Sequence, residues 1–269
     1  MRVALTIAGS DSGGGAGIQA DLKTFAAHRV HGTSAITAVT AQNSVAVTDW
    51  LALEPRLVVA QIEAVATDMR VAATKTGMLA TEAIIVAVAE AAGRLVLGPL
   101  VVDPVMVAKS GDRLLDAGAQ RAYLARLFPL ATLVTPNLSE TEALLGHPVT
   151  DPAAMRAAAR ALVAQGARAV LVKGGRLEGE ALDVFCDGDR LVDLPGERID
   201  TRHTQGTGCT LSAAIAARLA LGEPLLDAVQ GAKAYLTQAL RGAYMVGHGR
   251  GPVDHLFALA PDPSLPARG

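Results

Sequence analysis

Short runs of β-branched and apolar residues alternate along the chain with longer stretches in which alanine and leucine recur at the helical period. This alternation is typical of βα units around a mostly parallel sheet that is buried on both faces. The predicted strands are 3–8, 34–41, 73–78, 100–106, 131–136 and 167–173. Residues 182–195 instead predict a hairpin with Asp187, Gly188 and Asp189 at its turn, and therefore an antiparallel edge beside the parallel strands.

The size and composition of the chain favour one soluble domain. Its 269 residues, 51% of them hydrophobic, suffice for one large core, so we predict a single domain over 1–269 with a loose tail at 261–269. The 24 Lys and Arg nearly balance the 26 Asp and Glu, which argues against nucleic acid or an anionic membrane as a partner. Cys186 and Cys209 match no disulfide or zinc pattern, and no apolar run is long enough to span a membrane. We therefore expect a cytoplasmic protein.

A glycine-rich loop, SDSGGGAGIQ, joins the first predicted strand to a helix, where backbone N–H groups can meet an anion. It lacks the Gly-Lys-Ser/Thr of a Walker A loop, and no acidic residue between Asp21 and Asp49 can take the ribose of a dinucleotide. Alone, the loop is equally consistent with a tight turn. Asp21 in the first helical turn also suits the helix dipole, whereas Gln42 at a carboxyl strand end favours a ligand site.

Polar residues also follow three later strands. Asp103 stands in DPVM, Asn137 and Glu140 in TPNLSETE, and Lys173 in VKGG. Carboxylate and amide oxygens are the ligands that Mg²⁺ prefers, mostly with water, and a lysine before two glycines suits a polyphosphate. Glu140 also fits a helix cap, and Asp103 before a proline fits a turn, so both alternatives stay open.

The sequence GTGC, residues 206–209, stands directly before an alanine-rich helix. Gly206, Thr207, Gly208 and Cys209 are therefore predicted to form a helix N-terminus whose N–H groups bind an anion, with glycine admitting a phosphate close to the backbone. The helix dipole is expected to favour the Cys209 thiolate. A small buried thiol that packs like alanine is the alternative.

Motifs from about residue 3 to 257 carry a resemblance to a known family. They are AGSDSGGGAGIQADLKTF, TAVTAQNS, KTGML, VVDPVMVAKSG, TPNLSETEALLG, LVKGG, GTGCTLSAAIA and GRGPVDH. In this order they resemble the hydroxymethylpyrimidine and phosphomethylpyrimidine kinases of thiamine biosynthesis, in the ribokinase-like superfamily. The resemblance implies a three-layer α/β/α sandwich that uses MgATP twice, first on 4-amino-5-hydroxymethyl-2-methylpyrimidine and then on its monophosphate. It also makes a homodimer plausible, with Trp50 as an exposed candidate.

The resemblance implies a role for particular residues of this chain. The residues implied to hold the pyrimidine are Gly9, Ala16, Asp21, Gln42, Met78 and Val105. Those implied to bind the nucleotide are Lys109, Asn137, Lys173 and Lys233. Asp103 and Glu140 are implied to form the Mg²⁺ region, and Cys209 takes the place that many ribokinase relatives fill with an aspartate base.

Two positions depart from the family's usual pattern. Gln205 stands where a histidine is usual before GTGC, and Arg176 follows KGG where a histidine is common. Both lie near the expected phosphate path, so they bear on nucleotide contact and pH dependence. The rival functions are a pyridoxal kinase of the same superfamily, a non-catalytic pyrimidine-binding regulator and, weakest, a nicotinamide oxidoreductase.

Overall fold

A computed structural model describes residues 1–106, 118–175 and 177–259. Lys109, Arg176 and the tail 261–269 lie outside the described residues. The strands are β1 (Val3–Asp11), β2 (His31–Gln42), β3 (Val47–Ala52), β4 (Val71–Thr76), β5 (Leu100–Val102), β6 (Leu133–Val134), β7 (Val170–Lys173), β8 (Asp183–Cys186) and β9 (Leu191–Leu194).

Eight α-helices are found in the described part of the chain. They are α1 (Gly17–Ala27), α2 (Pro55–Asp68), α3 (Glu82–Arg94), α4 (Ala119–Ala122), α5 (Leu138–Leu145), α6 (Pro152–Ala164), α7 (Thr207–Ala220) and α8 (Leu225–Arg241). α4 continues through a π-helical turn at Tyr123–Leu127 and a 3-10 turn at Phe128–Leu130. No helix in these described ranges is both long and apolar enough to cross a membrane.

The strands form one nine-stranded sheet in the order β3-β2-β1-β4-β5-β6-β7-β8-β9. The neighbours from β2 to β7 are parallel, and the predicted hairpin of β8 and β9 forms an antiparallel edge. The opposite edge carries a second antiparallel strand, β3, which the sequence does not predict. Its central residues Thr48, Asp49, Trp50 and Leu51 are all exposed, so the alternation that marks a half-buried strand is missing.

Helices cover both faces of the sheet, as the three-layer prediction requires. One core packs α2 to α6 against the sheet, and the other packs α1, α7 and α8 against the opposite face. β5 and β6 are shorter than the predicted strands 100–106 and 131–136. Asp103-Pro104 and Thr135-Pro136 follow them, and a proline has no N–H to continue a sheet ladder. The chain therefore leaves the sheet early at the two places where Asp103 and Asn137 were predicted to act.

Candidate active site

Gln42, which is predicted to bind the pyrimidine, lies at the end of the sheet where the carboxyl termini of several strands come together. β2, β1, β4 and β5 are parallel neighbours, so their carboxyl ends meet there. The Ser12 hydroxyl fixes the backbone of Gln42 by donating to its carbonyl (2.6 Å) and accepting from its N–H (2.8 Å). The half-buried amide side chain accepts a long hydrogen bond of 3.3 Å from Thr40, and an amide held this weakly can turn towards a ligand.

The small and apolar members of the predicted pyrimidine site lie at the same edge. A Cβ built on Gly9 of β1 would lie 3.4 Å from the sulfur of Met78, so these residues form one wall. Ala16 is the extended N-cap residue of α1. Val105 is half-buried and follows β5 by three positions. The chain therefore gathers this group at the ends of β1, β4 and β5.

Asp11, which the sequence does not single out, organises the glycine loop. Its Oδ1 accepts a hydrogen bond from the N–H of Gly13 (2.8 Å), and its Oδ2 accepts from those of Gly15 (3.0 Å) and Ala16 (2.8 Å). The same Oδ2 accepts from Nε2 of Gln205 at 3.1 Å. These loop amides are thus bound to a carboxylate of the chain itself, and the tight-turn alternative accounts for them. An aspartate just before a run of glycines is the signal that could have found this role.

The GTGC segment is a helix N-terminus, as predicted. Gly206 is the N-cap residue of α7 and has a left-handed backbone (φ +76°), where a side chain would also collide with the glycine loop. A Cβ built on Gly208 would lie 3.4 Å from Nζ of Lys173 and 3.7 Å from Oδ2 of Asp103. The first-turn N–H groups of an α-helix have no intrahelical acceptor. The N–H of Thr207 reaches the carbonyl of Thr204 at 3.4 Å, and the backbone at Gly208 lies close to a lysine and an aspartate, where the absence of a side chain leaves room beside them.

Lys173 and Asp103 form a nearly buried ion pair of 2.8 Å, with side chains 11% and 2% exposed. Burial alone would lower the pKa of Lys173, but the carboxylates of Asp103 and Glu140 outweigh it and raise that pKa, so the ammonium stays charged. No described group of three or more His, Cys, Asp or Glu side chains could hold a metal alone. Two carboxylates beside a phosphate site nevertheless fit Mg²⁺, which takes few protein ligands and completes its shell with phosphate and water. Asp103 and Glu140 would hold that ion.

Asn137 and Glu140 form a capping box at the start of α5. The side chain of Asn137 accepts from the N–H of Glu140 (3.0 Å), and Oε2 of Glu140 accepts from the N–H of Asn137 (2.7 Å). The capping alternative for Glu140 is therefore real. It does not remove these residues from the site, because Asn137 is bridged to Lys173 at the adjacent strand end.

Lys233, a predicted nucleotide ligand on α8, lies beside the turn that follows Lys173. Its Nζ donates to the carbonyl of Ala181 (2.7 Å) and to Oδ2 of Asp183 (2.6 Å). Oδ1 of Asp183 accepts from the N–H of Gly174 (3.0 Å). Asp183 therefore links Lys233 to the KGG turn, a role that no local sequence signal reveals.

Asp21 lies beneath the site and not in it. Its oxygens accept from Nζ of Lys75 at 2.8 and 3.0 Å, Oδ2 also accepts from the Thr6 hydroxyl at 2.6 Å, and the side chains of Asp21 and Lys75 are fully buried. Direct contact with the pyrimidine, the role predicted for Asp21, is therefore not what this geometry supports. The sequence suggests the helix dipole as the electrostatic partner of Asp21, but the partner is the buried Lys75 on β4. A charged residue within an otherwise apolar strand is the sequence signal that could have indicated this ion pair.

Cys209 lies in the first turn of α7 and is half-buried. Burial raises the pKa of the thiol, and the nearby Lys75 ammonium offsets this only in part. Desolvation therefore sets the direction of the pKa shift and outweighs the charges that favour the thiolate. At neutral pH the thiol is the main form.

Comparisons with known proteins assign the chain to a family. Residues 11–254 match the phosphomethylpyrimidine kinase family. A hydroxymethylpyrimidine/phosphomethylpyrimidine kinase from Rhizobium meliloti is 54% identical over 257 residues, which cover 94% of this chain and 96% of the relative. The ribokinase-like fold, in which Asp103 and Lys173 meet at two strand ends, is that of a small-molecule kinase. Within that class, the chain belongs to the phosphomethylpyrimidine kinase family.

Solved structures of related kinases share the fold. The ADP complex of Bacillus subtilis pyridoxal kinase has a TM-score of 0.89 and 39% identity, covering 95% of this chain and 97% of that one. A phosphomethylpyrimidine kinase from Clostridium difficile has a TM-score of 0.79 and 40% identity, covering 89% of this chain and all (100%) of its own. The same fold thus serves both kinds of kinase.

Proposed function

We propose that this chain phosphorylates 4-amino-5-hydroxymethyl-2-methylpyrimidine with ATP and then phosphorylates the monophosphate to the diphosphate, in thiamine biosynthesis. The observation that carries the proposal is the placement of Gly208 opposite Lys173 and Asp103, one residue before Cys209. This arrangement offers a transferring phosphoryl group backbone N–H donors on one side and an ammonium on the other. Charge neutralisation and positioning of this kind supply most of the rate in phosphoryl transfer.

The residues divide into an acceptor side and a phosphate side. Gln42 can donate to a ring nitrogen and accept from the exocyclic amine, because its amide has both functions. Gly9 and Met78 offer a narrow apolar wall to the ring. On the phosphate side, Lys173 and the N-terminus of α7 hold negative charge, and Mg²⁺ bound at Asp103 would supply further charge neutralisation of the nucleotide phosphates.

Cys209 is proposed as the base for the first step. The hydroxymethyl group must lose a proton when it attacks the phosphoryl group, and the sulfur accepts that proton only as the thiolate, which is the minor form of Cys209 at neutral pH. The buried Lys75 ammonium favours this form against the desolvation that opposes it. In the second step the acceptor is a phosphate whose second pKa is near ~6, so it is already ionised and needs no base.

The test is Mg²⁺-dependent ADP release with the hydroxymethylpyrimidine, its monophosphate or pyridoxal as the acceptor. Turnover of both pyrimidines is expected. Turnover of pyridoxal alone would favour the pyridoxal kinase, a candidate supported by the Bacillus subtilis neighbour. Ligand binding without turnover would favour the regulator. Gly208→Val is the matched negative control, because the added side chain would push against Lys173 beside the proposed phosphate site.

We also propose a cytoplasmic homodimer. Cys186 and Cys209 are free thiols, which suits a reducing compartment. β3 is an edge strand, and its Trp50 and Leu51 are 40% and 69% exposed. An exposed apolar edge strand is a surface that a second copy of the chain can cover.

A further inference from the structure

Hydrogen bonds connect the glycine loop, the end of β2 and a C-terminal segment, residues 244–255, that carries the GRGPVDH motif. The glycine loop reaches β2 through the Ser12 hydroxyl and the backbone of Gln42. Two residues further on, the carbonyl of Ser44 accepts from the N–H of Arg250 (2.9 Å), and its hydroxyl accepts from the N–H of Gly249 (3.1 Å). The end of β2, which carries Gln42, is thus joined on one side to the glycine loop after β1 and on the other side to the C-terminal segment.

The C-terminal segment is joined in turn to the residues that precede the anion hole. The N–H of Gln205 donates to the carbonyl of Gly251 (3.1 Å), and the N–H of Gly251 donates to Nδ1 of His203 (3.0 Å). The side chain of Gln205 then reaches Asp11 of the glycine loop at 3.1 Å. These links close a ring that runs from the glycine loop through β2 and the C-terminal segment to Gln205 and back.

The alternating glycines of GHGRG allow these contacts. A Cβ built on Gly247 would lie 2.7 Å from the hydroxyl of Ser44, and its φ of +70° is left-handed. A Cβ on Gly249 would collide with the carbonyl of Ser44, and one on Gly251 with the carbonyl of Tyr244. Because Gly247 and Gly249 meet Ser44, the segment can approach the end of β2 this closely only without side chains at these two positions, whereas Gly251 lets the segment fold back onto Tyr244.

We propose that Gln205 is a positioning residue that holds the pyrimidine strand end in register with the anion hole, a role that rests on the proposed function. Beyond the ladder between β1 and β2, which pairs Asp11 with Thr40, Gln42 and Gly206 are connected by two routes. One runs through Ser12 and Asp11 to the side chain of Gln205, and the other runs through the C-terminal segment to its backbone. The side chain of Gln205 completes the first route through one hydrogen bond to Asp11. Loss of this hydrogen bond is expected to make the position of the pyrimidine less well defined relative to the phosphate site.

Gln205→Met tests this role, because methionine keeps the length of the side chain and loses the amide. The expected result is a rise in KM for the hydroxymethylpyrimidine of about 3- to 10-fold, the size of one lost hydrogen bond, with KM for ATP unchanged. Asp11 keeps its bonds to loop amides, so the fold is retained. Gln205→His, whose imidazole can donate to Asp11, is expected to restore KM.

Gln61→Met is the matched control. Gln61 makes two side-chain hydrogen bonds, of 2.8 and 3.0 Å, to the backbone of Ile36 in β2 but lies outside the ring. Its replacement is expected to lower stability and leave both KM values unchanged. An unchanged pyrimidine KM in Gln205→Met, or an equal rise in Gln61→Met, would overturn the proposal.

Double-mutant cycles distinguish a ring from isolated bonds. Ser12→Ala weakens the same route as Gln205→Met, although the ladder between β1 and β2 remains, so the second change is expected to add less than its effect alone. Ser44→Ala weakens the other route, so its combination with Gln205→Met is expected to exceed the sum of the single effects. Simple additivity in both cycles, measured on KM and on the free energy of unfolding, would contradict the ring. If the wild type turned over no pyrimidine, the proposed function would fail, and the unfolding cycles would still test the ring.

Discussion

Cys209 is expected to matter for one proton transfer and not for the other. Cys209→Ala should slow single-turnover phosphorylation of the alcohol by about 100-fold, at the low end of general-base effects, because a loose transition state asks little of the base. Phosphorylation of the monophosphate should change far less, since that acceptor is already ionised at neutral pH. Equal losses in both single-turnover rates would reduce Cys209 to a part of the anion hole.

Removal of Lys75 is expected to destabilise the fold because it leaves the buried carboxylate of Asp21 without its partner. Lys75→Met removes the partner of Asp21 in a fully buried pair and should cost about 3–5 kcal/mol in free energy of unfolding. The double variant Lys75→Met, Asp21→Asn leaves no unpaired charge and should be more stable than the single variant. Urea denaturation measures both, and a double variant as unstable as the sum of the single changes would refute this account.

Residues that follow a strand could be predicted from the sequence, whereas residues defined by a distant partner could not. Asp103 and Lys173 come together because the carboxyl ends of parallel strands meet at one end of the sheet, and Gly208 joins them from the N-terminus of α7. Lys75 is separated from Asp21 by 54 positions, and Asp11 from Gln205 by 194. Such pairs depend on the register of strands and the packing of loops, which periodicity does not specify.

The capping box of α5 allows the structural and the chemical role of Glu140 to be separated. Glu140→Gln keeps an oxygen that can accept from the N–H of Asn137, so stability should stay within about 0.5 kcal/mol of the wild type. It removes a charge beside Lys173, so the Mg²⁺ concentration for half-maximal rate should rise roughly tenfold. Titration of the rate with Mg²⁺ and thermal unfolding check the two effects.

Glu140→Ala is the comparison for that variant. It loses both functions, and it should also cost about 1 kcal/mol of stability because the helix loses half of its capping box. An unchanged Mg²⁺ requirement in both variants would leave Glu140 as a cap alone.

Elements were more predictable than their ends. The alternation of strand and helix patterns gives the parallel sheet, and Asp187 and Gly188 mark the hairpin turn, where Gly188 has a φ of +92°. β3 could not be predicted from the sequence, because it is held in the sheet by pairing with β2 while its central side chains stay exposed. Strand propensity and hydrophobic periodicity reflect the burial of side chains, and the side chains of an edge strand of this kind are little buried.

The free energy of unfolding of the whole molecule should fall in mild acid because His255 is buried. Burial lowers the pKa of His255 to about 4, below the ordinary value near ~6.5, so the unfolded state binds more protons between these values. The stabilisation is therefore present above about pH 6.5 and is lost as pH falls towards 4, by up to about 3 kcal/mol. His255→Gln can keep the bond to Thr210 and should flatten this slope in part, since His28 also has a lowered pKa. A slope unchanged by the substitution, measured by urea denaturation across pH, would exclude His255 as its source.

The edge of the sheet makes a final prediction about assembly. β3 pairs with β2 on one side only, and Leu51 stands on it with 69% of its surface exposed, next to Trp50. Leu51→Asp places a charge where a second copy would bury an apolar side chain, so light scattering should show a monomer of 27.5 kDa in place of the dimer. Val96→Asp is the matched control, because Val96 is 84% exposed in the connection between α3 and β5. A dimer that survives Leu51→Asp would move the interface elsewhere, whereas a monomeric wild type would leave β3 as an uncovered edge whose short length and Asp49 limit further pairing.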